Sequence, residues 1–387
     1  MIKVLTAVLM AILTVLLGIG MEWALLTGST PQQVYQASLP PTPLPVMGVL
    51  PTDFQTGVIF PQWGVEGYSD SNHTFSFGLG EIKQQTAAAW VELPITLYQK
   101  GFRDTSLSPS PQTASPESIA QGIRAAHQAG FKVFIVPFLT VGATGWAGDI
   151  HPLNPKWTTA WFDNYFASLR PYLLAAESEH AEQFALGTEY EYLEYAAPSY
   201  WNTLIAQAHD VYSGTLTYDM NWTAALKRTH AWESNPLLSY IGVSEYRPLT
   251  TRPAPRDASS LPTLWRYRVR DYLDALAIEL GKPVILSEVG FRNGSDALYQ
   301  PWVWQSSAPA DPQLQADAYQ ATLVNTVNDP NIAGVFFWGW SVPTFQPNWL
   351  PASRVLLLWY SSPRDTHSTR LGGSVPTAPA ATATPRG

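Results

Sequence analysis

Short apolar runs alternate with amphipathic stretches along most of this chain. Eight runs have strand length: GVIFPQW (57–63), AAWVELPI (88–95), KVFIVPFL (132–139) and QFALGTEY (183–190), then TLTYDMNW (215–222), YIGVSEY (240–246), PVILSEVGF (283–291) and AGVFFWGW (333–340). Several are apolar at consecutive positions, as strands covered on both faces must be. Helical patterns lie between them. SPESIAQGIRAAHQAG places Ser115 as N-cap, Pro116 at the first helical position and Gly130 as the stop. LPTLWRYRVRDYLDALAIELG ends on Gly281 in the same way. Eight strands in strict alternation with helices predict an α/β fold built as a single (β/α)8 TIM barrel over 54–365.

The flanks read differently. Residues 4–20, VLTAVLMAILTVLLGIG, follow Lys3 without a charge. That run predicts a signal peptide or membrane anchor over 1–28, and an extracellular or cell-surface protein. No clear A-x-A cleavage site follows, which tilts the expectation toward an uncleaved anchor. Residues 29–53 are Pro-rich and read as a semi-rigid spacer, and 366–387 as a disordered Pro/Thr/Ala tail.

Composition narrows the chemistry. A formal net charge of -8 argues against a nucleic-acid partner, which needs a basic stripe. With 0 Cys there is no disulfide, thiolate metal site or Cys nucleophile. No Gly-rich phosphate loop, HExxH, EF-hand loop or GxSxG elbow occurs, so no cofactor and no metal is expected. His127 reads as a helix residue; His151, in GWAGDIHP, fits a sugar contact or an ordinary loop equally. The chain carries 16 Trp, 18 Tyr and 15 Phe. Such rings fill barrel cores, and their flat faces with polar edges also suit a pyranose. A monomer acting on a polysaccharide or oligosaccharide is the expected form.

Active sites of such barrels form at the carboxyl ends of the strands. The polar residues closing each run are therefore the candidates. Strand one ends in Gln62 and Trp63, strand four in Thr188 and Glu189 with Glu191 and Glu194 following, and strand five in Asp219, Asn221 and Trp222. Strand six ends in Glu245 and Tyr246, strand seven in Ser287 and Glu288, and strand eight in Trp338 and Trp340. A carboxylate at the end of an apolar strand is costly unless it is bonded or used. Those of strands four and seven would meet across the barrel mouth. Retaining cleavage of a glycosidic bond needs such a pair, about 5–5.5 Å apart, one attacking the anomeric carbon and one protonating the leaving oxygen. Glu191 is an alternative to Glu189, since residues two apart share a strand face. Glu194 reads as a solvated helix-start residue. Glu288 could instead be an ion-pair partner of Arg292. The polar stretch 100–118 after strand two reads as a long loop on the active-site face or an inert surface loop.

At GTE and SEVGF the chain resembles clan A glycoside hydrolases. AAHQAGFKVFIVPFL, GWAGDIHP, WFDNYF, FALGTEYE, LTYDMNW, IGVSEYRPL, GKPVILSEVGF and AGVFFWGW make it similar to glycoside hydrolase family 113, mainly β-1,4-mannanases. The resemblance covers nearly the whole barrel, in order. It implies Glu189 as acid/base, Glu288 as nucleophile and Tyr246 as a hydrogen-bond donor to that nucleophile. It further implies Trp340 as the floor of the subsite for the attacked sugar, with Trp63, Trp146, Asp149, Asn221 and Trp222 lining subsites. Thr188 stands where most clan A members carry an Asn that binds the sugar 2-hydroxyl, and Glu245 is more acidic than expected beside Tyr246. The activity implied is endo-β-mannanase-like. Glucan, galactan or exo-mannoside cleavage, or a silent carbohydrate-binding barrel, remain alternatives.

Overall fold

The computed structural model describes residues 49–226, 229–253 and 258–365. The expected anchor, nearly all of the spacer and the tail lie outside the described residues. Among the described residues no helix is long and apolar enough to cross a membrane.

All eight expected strands form: β1 (Gln55–Ile59), β2 (Trp90–Gln99), β3 (Lys132–Val141), β4 (Gln183–Thr188), β5 (Thr215–Asn221), β6 (Ile241–Glu245), β7 (Val284–Val289) and β8 (Ile332–Phe337). Each pairs in parallel with the next, and β8 pairs with β1, so the sheet closes into a barrel. Closure needs a close approach at Gly57, where a Cβ would lie 2.1 Å from the Phe336 ring. Inside, Ile59, Trp90, Phe134, Val136, Ala185, Ile285 and Phe336 form one apolar cluster. The opposite strand faces pack against the helices in a second, larger cluster. Each aliphatic side chain fully buried there contributes about 1.5–3 kcal/mol.

Most connections are helical. After β2 comes α2, Pro116–Gln128, which follows α1, His73–Thr86. The Ser115 hydroxyl accepts the Ser118 N–H at 3.1 Å, and Gly130 has φ +79°, the left-handed stop that glycine tolerates best. The helical run ending at Gly281 is divided. Leu261–Trp265 and Asp271–Leu280 flank a π-helical segment, Arg266–Arg270. The link from β5 to β6 departs from strict alternation: among its described residues only the 3-10 turn Ala224–Leu226 is helical.

Two details shape the mouth and the base. Strands β2 and β3 run to Gln99 and Val141, beyond the expected ends, and carry Thr96 and Thr140 up to the rim. Leu107–Ser108 folds back antiparallel onto Tyr98–Gln99 and brings Gln112 to the cavity, which places the 100–118 segment on the active-site face. At the base, Leu50–Pro51 pairs with Arg364–Asp365, so the barrel unit begins slightly before residue 54.

Candidate active site

A cavity of about 920 Å³ opens at the carboxyl ends of the strands, and Glu189, Glu191 and Glu288 all line it. The β4 side is built by a sharp turn. The Glu189 N–H still bonds to Asp219 O at 2.8 Å, continuing the ladder. Its φ is then +60°, a left-handed conformation costing a non-glycine residue about 1–3 kcal/mol, and the helix Glu191–Ala196 starts two residues later. Glu189 and Glu191 are thus not neighbours on one strand face. The Glu189 carboxylate accepts Trp146 Nε1–H at 2.6 Å and Asn221 Nδ2–H at 2.9 Å. The Asn221 amide is oriented because its oxygen faces Thr223, 2.9 Å from N and 2.7 Å from Oγ1. Burial raises the Glu189 pKa; the bonds from Trp146, Asn221 and Ser244 oppose this, and the Glu191 charge adds to it. Glu191 itself lies 2.5 Å from the Thr223 hydroxyl.

On the other side, Glu288 is buried at the end of β7 and accepts a short hydrogen bond from the Tyr246 hydroxyl. Burial pushes its pKa well above the usual range. The Glu189 charge pushes it further, the Tyr246 bond opposes, and Asp219 adds a smaller push. Two carboxyls this close cannot both ionise cheaply, so with Glu189 charged the Glu288 proton is held to higher pH. Below them, Asp219 accepts from Ser287 at 2.5 Å and Ser244 at 3.0 Å, yet burial lifts it to about 8. Glu92 on β2 is fully buried, raised well above normal by burial and by Glu288 and Asp219, and its carboxyl oxygens have no hydrogen-bond partner among the described residues. Arg292 does not reach Glu288; its guanidinium binds Asp296 at 2.8 Å.

Of the other expected residues, Trp63, Trp146, Thr188, Asn221, Trp222 and Tyr246 line the cavity. The Thr188 hydroxyl is buried without a partner among the described residues. Asp149 does not line it: it ends the 3-10 turn Ala147–Asp149, is exposed, and its carbonyl lies 2.6 Å from His151 Nδ1. Trp340 is also displaced from its expected place. Its N–H bonds to Ile59 on β1, whereas the Trp338 N–H bonds to Val289 on β7. In a regular strand, residues two apart address the same neighbour, so the side-chain parity reverses between them. Trp340 therefore packs in the outer core and Trp338 lines the cavity. Glu194, expected to be solvated, is fully buried and accepts the Tyr218 hydroxyl at 2.7 Å. Trp302 and Trp304 also line the cavity. Their sequence signal is two tryptophans in PWVW, on the loop directly after a carboxylate-bearing strand.

A sequence model of Glycoside Hydrolase Family 113 matches residues 63–351. The chain belongs to glycoside hydrolase family 113. The cavity is therefore that of a glycosidase-family barrel. No curated protein matches the chain. Among solved structures, a GH113 β-1,4-mannanase aligns with TM-score 0.69 and 22% identity, over 80% of this chain and 99% of its own. The GH113 β-mannanase AaManA from Alicyclobacillus acidocaldarius, in complex with ManMIm, gives 0.68 and 22%, over 80% and 97%. A family 5 mannosidase from Rhizomucor miehei gives 0.54 and 10%, over 82% and 94%. These likenesses show the shared barrel.

Proposed function

We propose that this family 113 barrel hydrolyses β-1,4-linked mannan with retention of configuration, Glu288 acting as nucleophile and Glu189 as acid/base. The observation that carries the reading is the pair of carboxyls in one cavity, each held by neutral donors, with the Glu189 charge raising the Glu288 pKa. Environment divides their roles. Glu288 takes the Tyr246 hydroxyl bond, which lowers its pKa and orients it to attack; Glu189, raised by burial and by the Glu191 charge, is held by Trp146 and Asn221 in position to give the proton.

In the first step a Glu288 oxygen bonds to the anomeric carbon while the bond to the leaving sugar breaks. The Glu189 proton passes to the departing oxygen. The Glu288 charge is then neutralised as an ester, which lowers the proton affinity of Glu189 and suits it to act as base. Water gives a proton to Glu189 and its oxygen attacks the anomeric carbon, releasing Glu288 as carboxylate. The Trp338 face offers a platform for the attacked ring, and the Thr188 hydroxyl offers a hydrogen-bonding group in the same cavity. Mannan is favoured over glucan or galactan by the activity named for the similar family 113 structures.

The test is reducing-sugar release by the full chain on mannan, glucan and galactan, with the product anomer followed by NMR. The reading expects mannan cleavage with retention, lowered by at least about 10²-fold by Glu189→Gln and further by Glu288→Gln; release undiminished by either substitution overturns it. The apolar run 4–20 behind Lys3 also supports export and attachment at the cell surface. Recovery of the chain from the cytosolic fraction would refute that part.

A further inference from the structure

The cavity has an aromatic wall that the two-carboxylate chemistry leaves unused. Trp302 and Trp304, in the 290–311 connection after β7, line the cavity yet remain 42% and 55% exposed. Exposed tryptophans gathered at a cleft mark a binding surface more often than chance. Their loop is firmly built. Arg292, almost fully buried, donates Nη1 to the carbonyls of Gln300 (2.9 Å) and Val303, and Nη2 to Asp296 Oδ1 at 2.8 Å. Ser306 closes on the other Asp296 oxygen at 2.5 Å. These bonds grip the backbone on both sides of Trp302, so its ring is positioned before any ligand arrives.

The Trp302 ring lies 6.1 Å from that of Trp222, with 29° between the planes. Trp222 is braced in turn by Arg247, whose guanidinium carbon lies 5.8 Å from the ring centroid and whose Nη2 donates to Trp222 O at 3.3 Å. Glu245 holds Arg247 through an ion pair at 3.5 Å and by accepting its backbone N–H at 2.9 Å. The acidic residue that looked out of place beside Tyr246 thus anchors the brace of an aromatic ledge. Trp222 directly follows Asn221, the amide donor to Glu189. A group that protonates the departing oxygen stands beside the departing sugar, so the ledge flanks that side. Trp63 follows β1, diametrically across the ring of eight strands from β5.

We propose that the Trp302–Trp222 ledge binds hexose units on the departing side of the cleaved bond and makes recognition depend on chain length. This rests on the glycosidase reading of the same cavity. Stacking of one flat ring on a sugar face is worth about tenfold in affinity. The test is calorimetric titration of the Glu288→Gln protein with manno- and cello-oligosaccharides of two, four and six units. Affinity is expected to rise with length. Adding Trp302→Ala should weaken the six-unit ligand about tenfold and the two-unit ligand about twofold or less, with Trp302→Phe restoring most of the loss. Trp157→Ala, at an exposed tryptophan outside the cavity lining, should change neither. An equal loss at every length, or no loss, overturns the ledge. Length-dependent binding in a wild-type chain that cleaves nothing supports the ledge and sinks only the catalytic reading.

Discussion

The two sides of the cavity hold the same side chain in different ways. On the β4 side, Glu189 sits on a left-handed turn and takes N–H bonds from Trp146 and Asn221, groups on two other elements. On the β7 side, Glu288 is buried within the strand, where the register shifts against both neighbouring strands, and accepts from a single phenol, Tyr246. The first arrangement fixes direction with neutral donors near solvent. The second buries a charge close to other acids and depends on one donor to keep it ionised. Identity of residue type therefore says little about role; the shell around each carboxyl assigns it.

Substitutions can break that comparison in order of severity. On the proposed mechanism Glu288→Gln should be the most damaging, lowering kcat on oligomannosides by about 10⁴-fold or more, because the covalent intermediate it requires could not form. Glu189→Gln should cost about 10²–10⁴-fold on natural linkages but far less on aryl glycosides, whose leaving group needs little protonation; a leaving-group series measures this. Tyr246→Phe removes the donor that lowers the Glu288 pKa. Because attack needs the ionised form, the acidic limb of the kcat/KM profile should move to higher pH, with about a tenfold loss below neutrality. Glu191→Gln removes a charge that raises Glu189. The basic limb should move to lower pH, since Glu189 would release its proton earlier.

Asp219 supplies a readout of stability. Its folded pKa of about 8 lies above that of an unfolded aspartate, so the protonated form favours folding. That contribution is complete below the unfolded value near pH 4 and is lost as pH rises through about 8. Asp219→Asn should flatten the fall in Tm between these limits, as thermal unfolding across pH would show.

The eight strands were legible because buried parallel strands write themselves as continuous apolar runs, and caps such as Ser115 and Gly130 mark helix ends locally. Glu189 and Glu288 were legible because an acid closing such a run has few structural reasons to be there. What escaped was set by contacts between distant segments. Trp338 and Trp340 look equivalent in sequence, and only the change of hydrogen-bonding neighbour separates them. Glu194 carries no local sign of burial; Tyr218, on strand β5, supplies its partner. The Trp302 wall depends on how Arg292 gathers its own loop, which no periodicity records.

The pairing of Leu50–Pro51 with Arg364–Asp365 fixes where the barrel can be held. Arg364 reinforces it, donating to the carbonyls of Pro51 at 3.1 Å and Phe54 at 3.0 Å. Entry and exit of the folded unit therefore share one spot beneath the first strand, on the side away from the cleft. A tether joined to either end would tug on the floor of the molecule and leave its rim unencumbered.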